Sequence, residues 1–348
     1  MSWKRFWAVF MARNREFFRD RSAFGWNFLF PFLIVAGFGM IFGGGNQVAY
    51  KIGVFPHTGG KAALSDTQLS RYTDDLKYIE FIGFKTQAQG LDKLKHHKVD
   101  LLLKLGSNPV KYWIGESSPN GYLVEKILLA SLAPPPENAT IIKQAIPGRQ
   151  IRYIDWLFPG ILGMNMMFSA LWGVGYVVVR YRKNGVLKRL KATPLNAFEY
   201  LSAQMFSRLF LLLFTLLIVW IGCDLIFDFY MAGSYVSLVI LFCLGATSLT
   251  SMGLVLASRG TSEELTTGIL NFISWPMMFL SEVWFSLEGA PEWIKAFAQI
   301  FPLTHLLRAV RLVMNDGATL LDVTPEILIM TLTSLVFLTI GALLFKWN

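Results

Sequence analysis

The chain has 348 residues, of which 54% are hydrophobic and only 16% charged, whereas an average soluble domain carries about 25% charged residues; a water-soluble globule is excluded. The formal charge of +9 does not indicate nucleic acid, because no basic segment resembles a reading motif and a multi-span protein needs Lys and Arg in its cytoplasmic loops. The two cysteines, Cys223 and Cys243, lie in apolar runs, where a thiol packs as a small hydrophobe.

Residues 1–23 predict an amphipathic interfacial helix. Trp3, Phe6, Trp7, Phe10, Phe17 and Phe18 fall near one stripe at helical spacing, with Lys4, Arg5, Arg13, Arg15 and Arg19 around it. The apolar run 24–42 is long enough to cross about 30 Å of hydrocarbon. No small-residue cleavage site follows it, so it reads as a first transmembrane helix rather than a signal peptide. Residues 43–152 are polar and predict an α/β domain, with strands at 51–55, 78–84, 99–103 and 110–114 and helices at 86–97 and 122–132. Pro134, Pro135 and Pro136 break the chain before it returns to apolar sequence. Residues 153–348 predict a five-helix transmembrane domain, with spans near 154–179, 197–223, 233–257, 265–285 and 325–345. The fold class is an α-helical polytopic membrane protein: six transmembrane helices, with an extracytoplasmic α/β domain inserted between the first and second.

Orientation follows from the cations. Residues 1–23 hold six Lys and Arg, the 180–192 loop six, the 228–232 loop none and the 286–324 segment three. With six spans the first two share one side, and the positive-inside bias makes it the cytoplasm. Both termini are then cytoplasmic, in a multi-pass protein of the inner (plasma) membrane. The 43–152 domain carries fourteen Lys and Arg, but long translocated domains are largely exempt from that bias.

Catalytic patterns are missing. There is no G-x-x-x-x-G-K-[ST] loop for nucleotide phosphates; Gly59-Gly60-Lys61 is the nearest trace. No H-E-x-x-H or paired-Cys motif offers metal ligands, His96 and His97 read as solvated, and no G-x-S-x-G elbow occurs. Asp155, Asp224, Asp228 and Glu282 fall near the outer ends of spans, whereas ion-driven carriers place acids deep inside. The chain is therefore expected to bind no cofactor, to carry no catalytic residue and to take its energy from another protein.

The loop Arg180-Tyr181-Arg182-Lys183-Asn184-Gly185-Val186-Leu187-Lys188-Arg189-Leu190-Lys191-Ala192-Thr193-Pro194-Leu195 resembles the cytoplasmic signature of type-2 ABC exporter permeases. There a charged stretch and Gly precede a short helix that ends in a T-P turn. Trp275-Pro276-Met277-Met278-Phe279-Leu280-Ser281-Glu282, Pro291-Glu292-Trp293 and Phe301-Pro302-Leu303-Thr304 are similar to the family's fifth span and the segment after it, although many relatives carry Gly where Glu282 stands. The resemblance implies a homodimer or heterodimer of permeases bound to two copies of an ABC ATPase that holds ATP and Mg. It also implies outward movement of an amphipathic drug, lipid or glycan-like substrate, in contact with membrane lipid and with a periplasmic adaptor as a further candidate partner.

On this reading the 180–196 loop couples the ATPase to the spans through Gly185, Leu187, Lys188, Arg189, Leu190, Thr193 and Pro194. Gly185 permits a sharp exit from the second span, Leu187 and Leu190 form an apolar face for docking, and Pro194 stops the helix. Asn196 and Glu199 are spaced as a capping pair for the third span. The alternative is a loop whose cations grip anionic lipid. Asn165, Arg208 and Asn271 are candidates for a translocation path; Arg208 either faces an inner cavity or snorkels to the interface. Pro276, Glu282 and Pro291 mark an outer gate within a re-entrant segment at 281–303, where Glu282 either pairs with Arg308 or Arg311 or faces headgroups. The alternative function is an ATPase-driven mechanical relay acting on the 43–152 domain; a membrane-embedded transferase would need polar catalytic groups clustered at one membrane face, and the sequence shows none.

Overall fold

The computed structural model describes residues 2–42, 50–56, 78–96, 98–106, 109, 111–115, 118–132, 152–258, 260 and 262–345. The Gly59-Gly60-Lys61 trace, His97 and the prolines at 134–136 lie outside them. The chain forms two compact units, one of Met1–Gly43 with Gln150–Asn348 and one of Gly44–Arg149.

The smaller unit contains β1 (Tyr50–Phe55), β2 (Ile79–Gly83), α3 (Gln87–Lys95), β3 (Leu101–Lys104), β4 (Lys111–Ile114) and α4 (Pro119–Leu132), after α1 (Trp3–Arg19) and α2 (Arg21–Phe42) of the other unit. The strands run in the order β2-β1-β3-β4. β1 is parallel to β2 and β3, and β4 returns antiparallel on β3 with Leu102 opposite Trp113. Strand alternation sends Ile52, Val54, Leu101 and Leu103 to one face with Val124 and Leu128 of α4, and Phe55 and Leu102 to the other with Leu94 of α3. Both faces are thus covered, which is why Leu101, Leu102 and Leu103 are apolar at successive positions. The strand expected from residue 99 begins at Leu101, because the Asp100 carboxylate accepts from the Lys51 N–H at 2.7 Å. Thr86 caps α3 through the Gln89 N–H.

The larger unit is helical. After α1 and α2 it holds α5 (Tyr153–Ala170), a π-helical turn at Leu171–Tyr176, α6 (Val177–Lys183), α7 (Val186–Lys191), α8 (Ala197–Phe227), α9 (Tyr235–Ala257), α10 (Glu263–Leu280), α11 (Glu292–Ala298), α12 (Pro302–Asp316) and α13 (Thr324–Leu344). Among the described residues, five stretches are long and apolar enough to cross a membrane: Phe24–Ile41, Tyr153–Lys183, Ala197–Phe227, Tyr235–Ala257 and Thr324–Leu344. α10, over the expected span 265–285, is not one of them. It ends at Leu280, and Glu263, Glu264, Thr266, Thr267, Asn271 and Ser274 dilute its apolar residues. Large side chains such as Leu33, Leu217, Phe272 and Leu332 point outward, as a lipid-facing surface requires.

A short re-entrant helical pair is expected over 281–303; two helices, α11 and α12, occupy this segment and the residues after it, and α12 is deeply packed. Pro302 opens α12 and Gly317 (φ 70°) closes it. Leu303, Leu306, Leu307, Val310, Val313 and Met314, at 3–4 residue spacing, are all buried. Leu307 fills the space that a side chain on Gly163 of α5 would need, and Leu306 does the same at Gly245 of α9. α1 packs its aromatic stripe on α8, with Phe6 edge-on to Phe206 at 5.8 Å and Phe18 on Phe214 at 5.5 Å. The Ser207 hydroxyl donates to Asn14 at 2.9 Å behind them, while Trp3 and Trp7 stay exposed.

Candidate functional site

The 180–196 loop folds as its residue types dictate. Gly185 sits at φ 69°, a left-handed conformation that costs an L-residue a clash of its Cβ, and the chain doubles back into α7. Asn196 and Glu199 form the capping box that opens α8: the Glu199 N–H donates to Asn196 Oδ1 at 2.7 Å and the Asn196 N–H to Glu199 Oε2 at 3.2 Å. Glu199 also accepts from the Ser2 N–H at 2.6 Å and pairs with Arg5 at 3.5 Å, and Arg5 donates to the Pro194 carbonyl. The turn after α7 is therefore joined to the start of both α1 and α8.

The apolar face expected on this loop turns largely inward. Leu187 is buried and Leu190 half-buried, packed with Val178, Tyr200, Leu201, Leu254 and Ala257 of the same chain. They anchor α7, because the unit has its own apolar surface to cover there. What α7 presents outward is Lys188, Arg189 and Lys191, followed by Thr193 and Pro194. Two residues just before Gly185 tie this helix to others. Arg182 is buried and donates to Ala257 O and Ser258 O at 3.0 Å each and to Gly260 O, so it closes the carbonyl end of α9. Lys183 pairs with Glu263 at 3.3 Å and Glu264 at 3.9 Å, and Glu263 accepts from the Tyr176 hydroxyl at 2.7 Å. Both acids lie in the first turn of α10, where the helix dipole favours them.

Beside this end of the unit lies a cavity of ≈ 730 Å³. Its wall is aromatic, with Trp26, Phe30, Phe168, Trp172, Trp275 and Trp284. Arg13, Glu16, Asp20, Tyr176, Arg180 and Arg208 supply polarity. Glu16 is engaged by Arg13, by Tyr181 and by Arg180 at 3.1 Å, a network that holds α1 to α6. Of the three residues predicted for a path, the structure brings two together. Asn165 and Arg208 line the cavity; Asn271 is exposed and lies outside its lining, one helical turn before Trp275, which belongs to it. Sequence reading missed Asn27 of α2, whose backbone O receives the Asn165 amide at 3.4 Å and whose side chain receives the Ser169 hydroxyl. A lone Asn inside a run of aromatic residues was the available signal.

The chain matches the family model described as ABC-2 family transporter protein over residues 21–343. It belongs to that family. No curated protein matches its sequence. The chain is accordingly a multi-pass membrane permease subunit of an ABC transporter, a class that works with an ABC ATPase.

In this ABC-2 permease the other predicted cluster lies at the far end of α10. Pro276 stands inside α10 and Pro291 precedes α11, so neither touches the cavity wall directly. Glu282 adopts φ 59°, the conformation for which Gly is the default. Its carboxylate accepts from the Leu287 N–H at 3.0 Å. Arg311, not Arg308, is its partner: Nη2 donates to Glu282 O at 2.6 Å, Nη1 lies 3.6 Å from Oε2, and Nε donates to Trp156 O at 3.2 Å. Arg308 turns to Glu326 at 3.8 Å and Gln299 at 3.3 Å. At the same end Arg152 forms a two-pronged bond to buried Asp155, 2.8 Å on each arm, and donates to Asp228 O at 2.8 Å. That bond to Asp155 raises the Arg152 guanidinium above its ordinary range.

Proposed function

We propose that this permease is the membrane half of an exporter, in which a separate ATPase displaces α7 and an amphipathic substrate leaves through the aromatic cavity. The observation that carries the reading is the clamping of α7. Leu187 is sunk among α8 and α9 side chains, Arg182 holds the end of α9, Lys183 holds α10, and Arg5 joins the following turn to α1. A push on α7 must therefore move α1, α8 and α10, and all three line the cavity. Packed elements transmit such a displacement because interiors are close-packed and hardly compressible.

The finer assignments belong to the same scheme. α10 is a sixth crossing that ends at the Glu282 turn, both termini and α7 face the cytoplasm of the inner membrane, and the 43–152 domain lies outside. Two permease copies and two ATPase subunits, which hold ATP and Mg, make the working unit; a periplasmic adaptor is a candidate addition. Coupling residues are Gly185 as hinge, Leu187 and Leu190 as anchors, and Lys188, Arg189, Thr193 and Pro194 as the contact surface. Asn165 and Arg208 line the path, and Glu282 with its neighbours Pro276 and Pro291 shapes the outer end.

The test is ATP-driven flux of candidate amphiphiles from proteoliposomes that contain the chain with its ATPase. Flux that requires both proteins supports export. ATPase association without any flux would instead favour the mechanical relay. Orientation is checked with single cysteines in a background lacking Cys223 and Cys243: a cysteine at Lys111 reacts with an impermeant reagent in intact cells, and one at Lys188 does not.

A further inference from the structure

The cavity wall contains a cation that the protein itself leaves incomplete. Arg208 lies twelve residues beyond Asn196, about 18 Å along the helix at 1.5 Å per residue, near the middle of a span. A charge at that depth is expensive, and proteins place one there only with a partner or facing a wet path. Arg182 and Arg311, the buried arginines among the described residues of this unit, each donate to neighbouring carbonyls, and Arg311 also faces a carboxylate. Half-buried Arg208 makes no such bond among the described residues. Its Nε is buried without a hydrogen-bond partner, it enters none of the ion pairs among the described residues, and the charged group that acts on it is another cation, Arg13.

The backbone is shaped around this side chain. A Cβ on Gly173 would overlap the guanidinium of Arg208, so only glycine admits Arg208 to its present position. Gly173 lies within the π-helical turn Leu171–Tyr176, the kind of widened turn that recurs at functional sites. Glu16, one of the two carboxylates on the wall, is taken up by Arg13, Arg180 and Tyr181. What remains is an arginine fork in a cavity whose wall also carries Asp20, Asn27, Asn165 and Ser169 among its tryptophan and phenylalanine side chains.

We propose that Arg208 receives the anionic head of an amphiphile, a phosphate or carboxylate, whose apolar part lies along Trp172, Phe168, Trp26 and Trp275. A guanidinium matches such a head with two parallel hydrogen bonds, and the ≈ 730 Å³ of space falls within the range of about 300–1,000 Å³ usual for small-ligand sites. This assignment deepens the export reading and rests on it for its meaning: it gives the charge class of the substrate.

The experiment uses the full chain in phosphatidylcholine nanodiscs and a dodecyl phosphate carrying a photoreactive diazirine in its chain. Cross-linked peptides are identified by mass spectrometry, which separates cavity occupancy from general partitioning into lipid. The wild-type protein should be labelled on the α2 and α5 segments of the wall. Unlabelled dodecyl phosphate should compete, and dodecyltrimethylammonium should not. Arg208→Gln should reduce labelling about tenfold or more, and Arg208→Lys should stay within about threefold of wild type, as expected when a charged hydrogen bond is lost or kept. Phosphatidylglycerol added to the nanodisc separates the two sources of such a head: competition identifies a resident anionic phospholipid, and its absence a transported substrate. Equal competition by the cationic amphiphile, or undiminished labelling of Arg208→Gln, overturns the proposal. The first of these outcomes needs no variant to fold. Both readouts are made without ATPase, so their failure leaves the export reading standing, whereas loss of ATP-driven flux with labelling intact would count against export alone.

Discussion

At one end of the helical unit Arg311 lies over the Trp156 ring at 3.9 Å, with the Trp156 and Glu282 carbonyls and the Glu282 carboxylate around it. On the cavity wall Arg208 rests against Gly173, and its Nε has no acceptor among the described residues. The residue type is the same, with Arg311 buried and Arg208 half-buried. The difference lies in whether the fold supplies the missing half of each bond. The first arginine fastens α12 to α5 and to the turn after α10; the second can be completed only by something that enters. Buried polar groups in folded proteins are nearly always satisfied, so an exception at the wall of a cavity indicates where a ligand belongs.

Three measurements break or sharpen this contrast. The largest effect is expected from Arg311→Met, which leaves two carbonyls and a half-buried carboxylate without their donor. It should cost about 3 kcal/mol in detergent unfolding, while Arg208→Met should stay within about 1 kcal/mol of wild type, since no internal bond is lost. Equal losses would erase the distinction. Next, Gly173→Ala forces the guanidinium, the far end of a flexible side chain, aside and should cost about 1 kcal/mol. In an Arg208→Gln background the cost should fall below about 0.5 kcal/mol, and an unchanged cost would mean that the overlap with Arg208 is not what Gly173 avoids. The smallest effect belongs to the Glu282 pair. A double-mutant cycle of Glu282→Gln with Arg311→Gln should give a coupling of about 0.5–1 kcal/mol, and the cycle with Arg308→Gln less than about 0.3 kcal/mol. Coupling confined to Arg308 would contradict the pairing of Glu282 with Arg311.

Much of this architecture is legible in the sequence because caps and periodicity are local. Asn196 with Glu199, Gly185 before Val186, and the apolar runs of α8, α9 and α13 announce themselves within a few residues. What fails to show is direction. The spacing of Leu187 and Leu190 reveals an apolar face on α7, yet only the tertiary fold decides that this face turns inward on Tyr200 and Leu254 and leaves the cations outside. Asn271 has the same polarity as Asn165, but it stands a turn beyond the part of α10 that lines the cavity. α12 is a different case, since its signal was present: Pro302 at the first turn, Gly317 after the last, and apolar residues at 3–4 spacing between them. Gly289, Ala290 and Pro291 before it divide the segment into a helical pair, but they do not show that the second helix runs on to Asp316. The role of Gly173 has no sequence signature, because a glycine that makes room for an arginine thirty-five residues away looks like any small residue at a helix contact.

The central claim is that work done on α7 reaches the cavity, and its most direct test is the double substitution Lys188→Glu with Arg189→Glu. Both side chains are exposed and bear on no described ion pair, so the unfolding midpoint should move by less than about 2 °C, the scale of an ordinary surface change. ATP-driven flux in proteoliposomes with the cognate ATPase should nevertheless fall at least about tenfold, as expected when a charged contact surface is reversed. Wild-type flux from a well-folded double variant would show that α7 is not where the ATPase acts.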